Sequence, residues 1–187
     1  NLKPEDRRAI AVVGTRKPNM YGRQVTRDLV TGLVKEGFTI VSGLARGIDG
    51  EAHLAAIKAG GRTIAVLAHG LDLIYPPEHR WLAAEVVKFG ALVSEFSDGV
   101  KIEKYQFVRR NRIIAGMSLG VVVIEGQSRS GTKITARLAG EYGREVFAVP
   151  GQVGNVMSQA PAELIQTGAK LVTSVQDILD EFSEYKK

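Results

Sequence analysis

Short apolar runs alternate with amphipathic stretches along this chain of 187 residues. The apolar runs lack the strict alternation of half-exposed antiparallel strands, so they predict buried strands of a parallel sheet that is covered on both faces. These predicted strands are residues 9–13, 38–41, 63–67, 91–93, 120–124 and 145–149, with a seventh, shorter strand at residues 170–172.

The stretches between the strands have the periodicity of helices. Several stop just before a glycine, at Gly37, Gly60, Gly90 and Gly143, where a left-handed residue caps a helix at little cost. Strand and helix in repeated alternation predict an α/β fold, with a doubly wound, mostly parallel sheet of the extended Rossmann-like kind. We expect a single domain over residues 9–187, preceded by an N-terminal extension over residues 1–8. The predicted helices are residues 22–36, 49–59, 78–89, 110–117, 132–142 and 175–182.

Composition narrows the class of protein. Hydrophobic residues make up 44% of the chain and charged residues 24%, which suits one sizeable core. Lysine and arginine number 25 against 20 acidic residues, and the net charge of +5 is compatible with a nucleic-acid or phosphate partner. Cysteine is absent, which excludes disulfides, thiolate catalysis and cysteine-ligated metal. No run approaches the roughly 20 apolar residues that span a bilayer, so we expect a cytoplasmic protein without a membrane partner.

Glycine-rich loops fall where the predicted strands end. In a parallel sheet the carboxyl ends of the strands meet at one edge, and ligands bind there. Glycines let the backbone approach an anion, and hydroxyls and free amides at the following helix starts donate to it. Several such loops at one edge favour a phosphate or nucleotide site over a set of unrelated tight turns. The candidate loop residues are Gly14, Thr15 and Arg16; Ser42, Gly43, Arg46 and Gly47; and Ser130, Gly131, Thr132 and Lys133.

A dense basic and aromatic run lies at residues 104–112. Cationic side chains contact phosphates, and an exposed ring stacks on an unpaired base for about 1 to 3 kcal/mol, so the combination favours a single strand of nucleic acid. The arginines of this run cannot all share one helix face. Arg109 or Arg112 is therefore open to pairing with an acid, and Phe107 to packing in the core. The candidates in this run are Lys104, Phe107, Arg109, Arg110, Asn111 and Arg112.

Several common motifs are missing. Gly14 and Gly22 are too far apart for a dinucleotide fingerprint, and Thr132 followed by Lys133 reverses the order that a P-loop needs. The three histidines lack metal-ligand spacing, and no serine lies in a nucleophile elbow. We therefore expect no catalytic residue, no metal and no cofactor. Four carboxylates near the loop edge stay open as acid or base groups: Asp49, Asp72, Glu95 and Glu125.

Five segments, in this order, resemble the DNA-processing protein A (DprA/Smf) family over about residues 9–172. They read VVGTR at 12–16, SGLARGID at 42–49, RNRIIAG at 110–116, SGT at 130–132 and GREVFAVPG at 143–151. The resemblance implies a mediator of natural transformation and DNA recombination, and not an enzyme. Such a protein binds and protects single-stranded DNA and helps to load the RecA recombinase. The resemblance also implies a homodimer, and a DNA pocket built from the loop and basic-run candidates named above.

Some family features are not expected in this chain. The flanking SAM-like helical domain and the C-terminal winged-helix domain of the family have no predicted counterpart in the 187 residues. Val108 stands where the family usually has a proline after the phenylalanine. Residues 159–162 replace a stretch that usually carries glycine and asparagine.

The alternative reading is a LOG-type nucleotide phosphoribohydrolase, or a nucleotide-sensing domain, on a similar fold. Those enzymes carry a Pro-Gly-Gly-x-Gly-Thr-x-x-Glu loop after a strand. Aligned on Gly131 and Thr132, this chain has Thr135 in the place of the glutamate. The substitution removes the carboxylate that catalysis requires, so it favours the binding protein over the enzyme.

Overall fold

Seven parallel strands form one sheet, with helices against both faces, in the computed structural model, which describes residues 1–185. The predicted doubly wound α/β fold is confirmed, and the last two residues of the expected domain lie outside the described residues. The strands are β1 (Ala9–Val13), β2 (Thr39–Ser42), β3 (Thr63–Val66), β4 (Ala91–Val93), β5 (Gly120–Val123), β6 (Glu145–Ala148) and β7 (Lys170–Leu171). The helices are α1 (Met20–Lys35), α2 (Ile48–Lys58), α3 (Arg80–Phe89), α4 (Lys104–Gly116), α5 (Gly131–Glu141), α6 (Gln159–Gln166) and α7 (Val175–Leu179).

The order of the strands creates a crevice beside β1. Across the sheet the order is β4-β3-β2-β1-β5-β6-β7. The chain builds outward from β1 to β4 and then returns through α4 to β5, which pairs with the other side of β1. The connections that leave β1 and β5 therefore go to opposite faces of the sheet, and a parallel sheet binds ligands at such a point.

The core lies on both faces of the sheet. Leu29 and Leu33 of α1 pack with Ile48 of α2 on one face, while Ile114 of α4 and Ala136 of α5 pack on the other. Because each strand is covered twice, the strands are almost continuously apolar. Each fully buried aliphatic side chain contributes about 1.5 to 3 kcal/mol, so this double layer fixes where the loops emerge. Within residues 1–185, no helix has the length and apolar character to cross a membrane.

The first residues are fastened to the amino edge of the sheet. They form a 3-10 helix, Pro4–Arg7, in which the Asp6 carboxylate accepts hydrogen bonds from Arg62 at 2.5 and 2.9 Å and from Thr39 at 3.2 Å. Burial acts to raise the pKa of Asp6, but hydrogen bonds from Arg62, the Lys3 amide and Thr39, together with the Arg62 charge, outweigh it, and the pKa lies below its usual value. This edge is opposite the loops that carry the candidate site.

Two local predictions are wrong, for identifiable reasons. Gly37, Gly60 and Gly143 have the predicted positive φ of 80°, 72° and 64°, but Gly90 has a φ of −165°. A Cβ atom on Gly90 would lie 1.7 Å from the Thr63 carbonyl oxygen, so that glycine is needed for a close approach to β3 and not for handedness.

The second error is the start of α4, which begins at Lys104 and not at residue 110. A capping box starts the helix there: the Glu103 amide donates to the Gln106 side chain at 2.6 Å, and the Glu103 side chain accepts in return. Lys104 and Phe107 consequently lie on the helix itself and not in a loop before it. Because the whole run from Lys104 onward is helical, helix periodicity determines which of its side chains lie on the same face.

Acid is expected to destabilise the fold through His53. The His53 ring is fully buried in α2, with Nδ1 2.7 Å from the Thr63 hydroxyl. Burial lowers the pKa of His53 to about 3, whereas an unfolded histidine titrates near 6.5. Between these values the unfolded chain takes up a proton that the folded protein does not. The contribution of His53 to the free energy of unfolding is therefore fully present above about pH 6.5. Below that value it falls by about 1.4 kcal/mol for each pH unit.

Melting temperatures measured between about pH 7 and pH 4 test this prediction. We expect the curve of the His53→Gln variant to be flatter than that of the wild-type protein over this range. Parallel curves would show that another group controls the acid transition.

Candidate functional site

A pocket of about 740 Å³ opens at the carboxyl edge of the sheet, in the crevice between β1 and β5. Loops that follow β1, β2 and β5 line it together with α4, so segments distant in the sequence meet there. Ten predicted site residues belong to its lining: Gly14, Thr15, Arg16, Lys104, Phe107, Arg110, Asn111, Ser130, Gly131 and Thr132.

The loop after β1 is clamped from two sides. The Thr15 amide donates to the Glu125 carbonyl at 2.8 Å, and the Thr15 carbonyl accepts from the Ile48 amide at 3.1 Å. A Cβ atom on Gly14 would lie 2.5 Å from the Ile48 side chain. The next residue, Arg16, is exposed. A rigid backbone therefore presents a flexible cation at the mouth of the pocket.

Three predicted site residues, at the end of β2 and in the loop that follows it, pack against the pocket without lining it. Ser42 is fully buried, and its hydroxyl donates to the Val12 carbonyl at 2.7 Å. A Cβ atom on Gly43 would lie 1.9 Å from the Arg110 guanidinium. Gly47 has a φ of 77° and comes so close to the β1 loop that a Cβ atom would lie 2.3 Å from the Thr15 carbonyl oxygen. These three predicted site residues lie outside the lining, and they determine its shape.

Cationic and aromatic side chains share one wall of the pocket. The Arg16 guanidinium lies 5.7 Å from the centre of the Phe107 ring, and the Phe107 and Tyr75 rings meet edge to face at 5.8 Å. Lys104 lies one turn before Phe107 on α4 and also lines the pocket. Tyr75, which is 40% exposed, does not figure in the sequence prediction, and only its position beside two prolines marks it as a rigid loop residue.

The start of α5 forms the opposite side. Ser130, Gly131 and Thr132 line the pocket, and the space where a Cβ atom on Gly131 would stand is open. The first amides of a helix point along its axis without internal partners, which makes its start a site for anions. Among the described residues, no hydrogen-bond partner reaches the buried Ser130 hydroxyl. This side of the pocket offers donors to an anionic ligand.

Two buried residues of opposite charge, Arg110 and Asp49, belong to the pocket lining. Arg110 is 5% exposed and donates from Nη1 to the Val66 carbonyl at 2.5 Å. Asp49 is 7% exposed. Burial raises the pKa of the Asp49 carboxyl, and the Arg110 charge and the amides of Ala45 and Gly43 oppose that rise. Arg110 thus has a neighbouring carboxylate and a carbonyl to satisfy before any ligand arrives.

Four predicted cations are paired with acids away from the lining. Arg46 contacts Glu78, and the Lys133 ammonium lies 2.5 Å from Glu163. Arg109 and Arg112 both contact Glu95, which confirms that this run contains arginines paired with an acid. Among the described residues, the exposed cations of the lining without an acid partner are Arg16, Lys104 and Lys17, and Lys17 does not figure in the sequence prediction.

The lining offers little of what an enzyme of the LOG type needs. Among its described residues Asp49 carries the only carboxyl group, and it lies beside Arg110. Thr135, in place of the catalytic glutamate, lines the pocket with a hydroxyl 3.5 Å from the Gly131 carbonyl. Within residues 1–185, no three His, Asp or Glu side chains are placed to hold a metal ion. The geometry matches binding of an anionic, ring-containing ligand.

The family model and similar curated proteins point to the same family. The sequence model of the family described as DNA recombination-mediator protein A matches residues 1–183. The DNA processing protein DprA of Bacillus subtilis is 49% identical over 177 residues, which cover 95% of this chain and 60% of that protein. The family description is that of a mediator and agrees with the expectation that the chain is not an enzyme.

Solved structures share the fold, and two of them are also similar in sequence. The crystal structure of DprA from Streptococcus pneumoniae matches with a TM-score of 0.86 and 44% identity, over 92% of this chain and 61% of that one. DNA processing protein A from Helicobacter pylori, whose structure describes a single-stranded DNA binding mode, matches with a TM-score of 0.87 and 30% identity, over 96% and 81%. The chain thus spans about three fifths of the Bacillus and Streptococcus proteins.

Proposed function

The chain belongs to the DNA recombination-mediator protein A family, and from that premise we propose that its pocket holds single-stranded DNA. In this proposal phosphates contact Arg16, Lys104 and the start of α5, while an unpaired base stacks on Phe107. The protein acts as a mediator of natural transformation and recombination, which protects the strand and hands it on.

The observation that carries the proposal is the wall of the pocket on which cationic and aromatic side chains lie side by side. Arg16 lies over the Phe107 ring, and Tyr75 completes an aromatic pair inside the concave pocket. Stacking on a ring requires a base whose face is free, and a duplex offers such a face only at its ends. Cations on the same wall meet the phosphates of the same strand. The arrangement therefore favours an unpaired strand over a duplex.

Binding of fluorescent oligo-dT, followed by anisotropy, tests the proposal. We expect tight binding at low salt, a preference over a duplex of equal length, and an affinity that falls as salt rises, because each phosphate contact releases counterions. Nucleoside monophosphates incubated with the protein should yield no free base. Duplex preference or release of free base would contradict the proposal.

Single substitutions in the cationic and aromatic wall of the pocket should separate phosphate contacts from base stacking. Arg16→Ala and Lys104→Ala should each weaken binding regardless of base sequence and reduce the slope of log affinity against log salt by about 0.7. Phe107→Ala should cost about 1 to 3 kcal/mol with little change in that slope. Lys35→Ala is the matched control, since Lys35 ends α1 at the opposite edge of the sheet. Equal effects at Lys35 and Lys104 would mean that net charge alone governs binding.

Self-association and transfer to RecA complete the proposal. The family resemblance supports a homodimer through this domain, and Leu171 on the edge strand β7 is 45% exposed. Light scattering on the protein without DNA should give twice the chain mass, and a single chain mass would contradict a dimer. RecA filament formation on coated DNA should be faster with the protein than without it, and no change would contradict RecA loading.

A further inference from the structure

Two arginines on α4 share one carboxylate outside the pocket. Arg109 Nη2 lies 3.1 Å and Arg112 Nη2 2.5 Å from the same Glu95 oxygen. The arginine side chains are 55% and 47% exposed, whereas that of Glu95 is 14% exposed. Arg109 also lies 5.6 Å from the centre of the Phe96 ring. One largely buried carboxylate therefore holds two cations at the surface.

The same face of α4 carries an exposed ring. Tyr105, Arg109 and Arg112 are spaced by four and three residues, so they lie on one side of the helix. Tyr105 is 57% exposed. This face has the same combination of rings and cations as the pocket wall.

The face is continuous with the pocket. Val108 lines the pocket and is 47% exposed. It is three residues from Tyr105 and four from Arg112, so it adjoins both on the helix surface. A strand that leaves the pocket over Val108 next meets the ring and the two cations.

We infer that Tyr105, Arg109 and Arg112, the outer strip of α4, bind phosphates and one base of single-stranded DNA beyond the pocket. When no DNA is present, the Glu95 carboxylate occupies the position between the two arginines that a DNA phosphate takes in the complex. The inference rests on the proposed function, because the strip extends the path of a strand that already fills the pocket.

The chemistry favours a polynucleotide over an acidic protein segment. A carboxylate-bearing peptide needs the cations alone, whereas a nucleotide uses the cations and the Tyr105 ring together. Glu95 already shows that Arg109 and Arg112 accept a single anion between them. Both arginine side chains are about half exposed, so solvent weakens their pairs with Glu95 and a polyanion can reach the guanidinium groups.

Two lengths of oligo-dT separate the strip from the pocket. Single-strand sites on another small fold, the OB fold, cover about 4 to 16 nucleotides. On that scale an oligonucleotide of about 5 nucleotides fills the pocket and one of about 20 extends past it. Glu95→Gln should raise the affinity for the long oligonucleotide about two- to fivefold, because the competing pair is weak, and leave the short one unchanged.

Removal of the strip should have the opposite effect. The Arg109→Ala/Arg112→Ala double variant should weaken binding of the long oligonucleotide and reduce its salt slope by about 1.4, for two phosphate contacts. Tyr105→Ala should weaken it at least about fivefold, whereas Tyr105→Phe should retain the wild-type affinity.

Glu51→Gln provides a matched control. Glu51 of α2 also holds two arginines, Arg23 and Arg27 of α1, at 3.2 and 2.9 Å, and its side chain is 11% exposed. It lies with α1 and α2 on the face of the sheet opposite α4. The substitution makes the same change in charge and should leave DNA binding unchanged.

Three outcomes would overturn the inference. They are an equal gain from Glu95→Gln and Glu51→Gln, equal effects of the strip variants on both oligonucleotide lengths, and strip variants that bind DNA normally but lose binding of a polyglutamate peptide. Failure of the wild-type protein to bind either length contradicts the proposed function itself.

Discussion

Replacement of Arg110 by methionine is expected to lower the free energy of unfolding by about 3 kcal/mol or more, because a buried carbonyl loses its donor and a nearby buried carboxylate loses a compensating charge. The change removes the positive charge that acts most strongly on the buried Asp49 carboxylate, and it leaves the Val66 carbonyl without its donor. It also empties the space against Gly43, where the guanidinium packs. Urea denaturation measures the loss.

The loss should depend on pH. Burial already raises the pKa of Asp49, and Arg110 opposes the rise, so the pKa increases further without Arg110. A raised carboxyl pKa means that stability is retained at low pH and lost as the pH rises through the folded value. The deficit of the variant should therefore be largest near neutral pH and shrink as the solution is made acidic.

Arg112→Met is the control for this change on the same helix. Arg112 is about half exposed, so the expected loss is below about 1 kcal/mol. The Asp49→Asn/Arg110→Met double variant should recover part of the stability, since no buried charge is then left unpaired. Similar losses at Arg110 and Arg112 would contradict the account of the buried pair.

Substitution of Gly47 by alanine is expected to cost about 3 kcal/mol or more and to weaken oligo-dT binding at least about tenfold. The backbone at Gly47, with φ 77° and ψ −127°, belongs to a region that side chains avoid. The new Cβ atom would also lie 2.3 Å from the Thr15 carbonyl oxygen, a backbone atom that cannot rotate away. Relief of that clash displaces Arg16 from the Phe107 ring.

Gly60→Ala isolates the contribution of the clash. Gly60 also has a positive φ, of 72°, but a Cβ atom there would meet nothing within 4 Å. Its substitution should cost about 1 to 2 kcal/mol and leave oligo-dT affinity unchanged. If Gly47→Ala bound DNA like Gly60→Ala, the close approach of the two loops would not be what shapes the pocket.

The sheet was the most predictable part of the molecule because its signal is local. Runs such as residues 120–124 are apolar throughout, since helices cover both faces of a parallel sheet. The start of α4 was missed because the basic run resembles a loop, although Glu103 and Gln106 have the spacing of a capping box. The short helix α6 was not predicted, because Pro161 usually indicates the end of a helix. In the structure Pro161 lies in the first turn of α6, where a proline is tolerated.

The site was predictable as a set of loops but not as a set of contacts. Glycines and cations at strand ends indicate a ligand edge whatever the details. Which cations stay free depends on acids distant in sequence, such as Glu78 for Arg46 and Glu95 for Arg109. Tyr75 enters the pocket through its contact with Phe107, and no periodicity in the sequence reports that contact.

The most direct test of a shared pocket is an NMR titration of the protein with oligo-dT, in which backbone amides are followed individually. The account predicts that amides of Thr15, Phe107 and Gly131 shift together and saturate with one dissociation constant, because three separate segments contact one strand. Shifts confined to a single segment, or found on the α1 and α2 face with none at these amides, would contradict it.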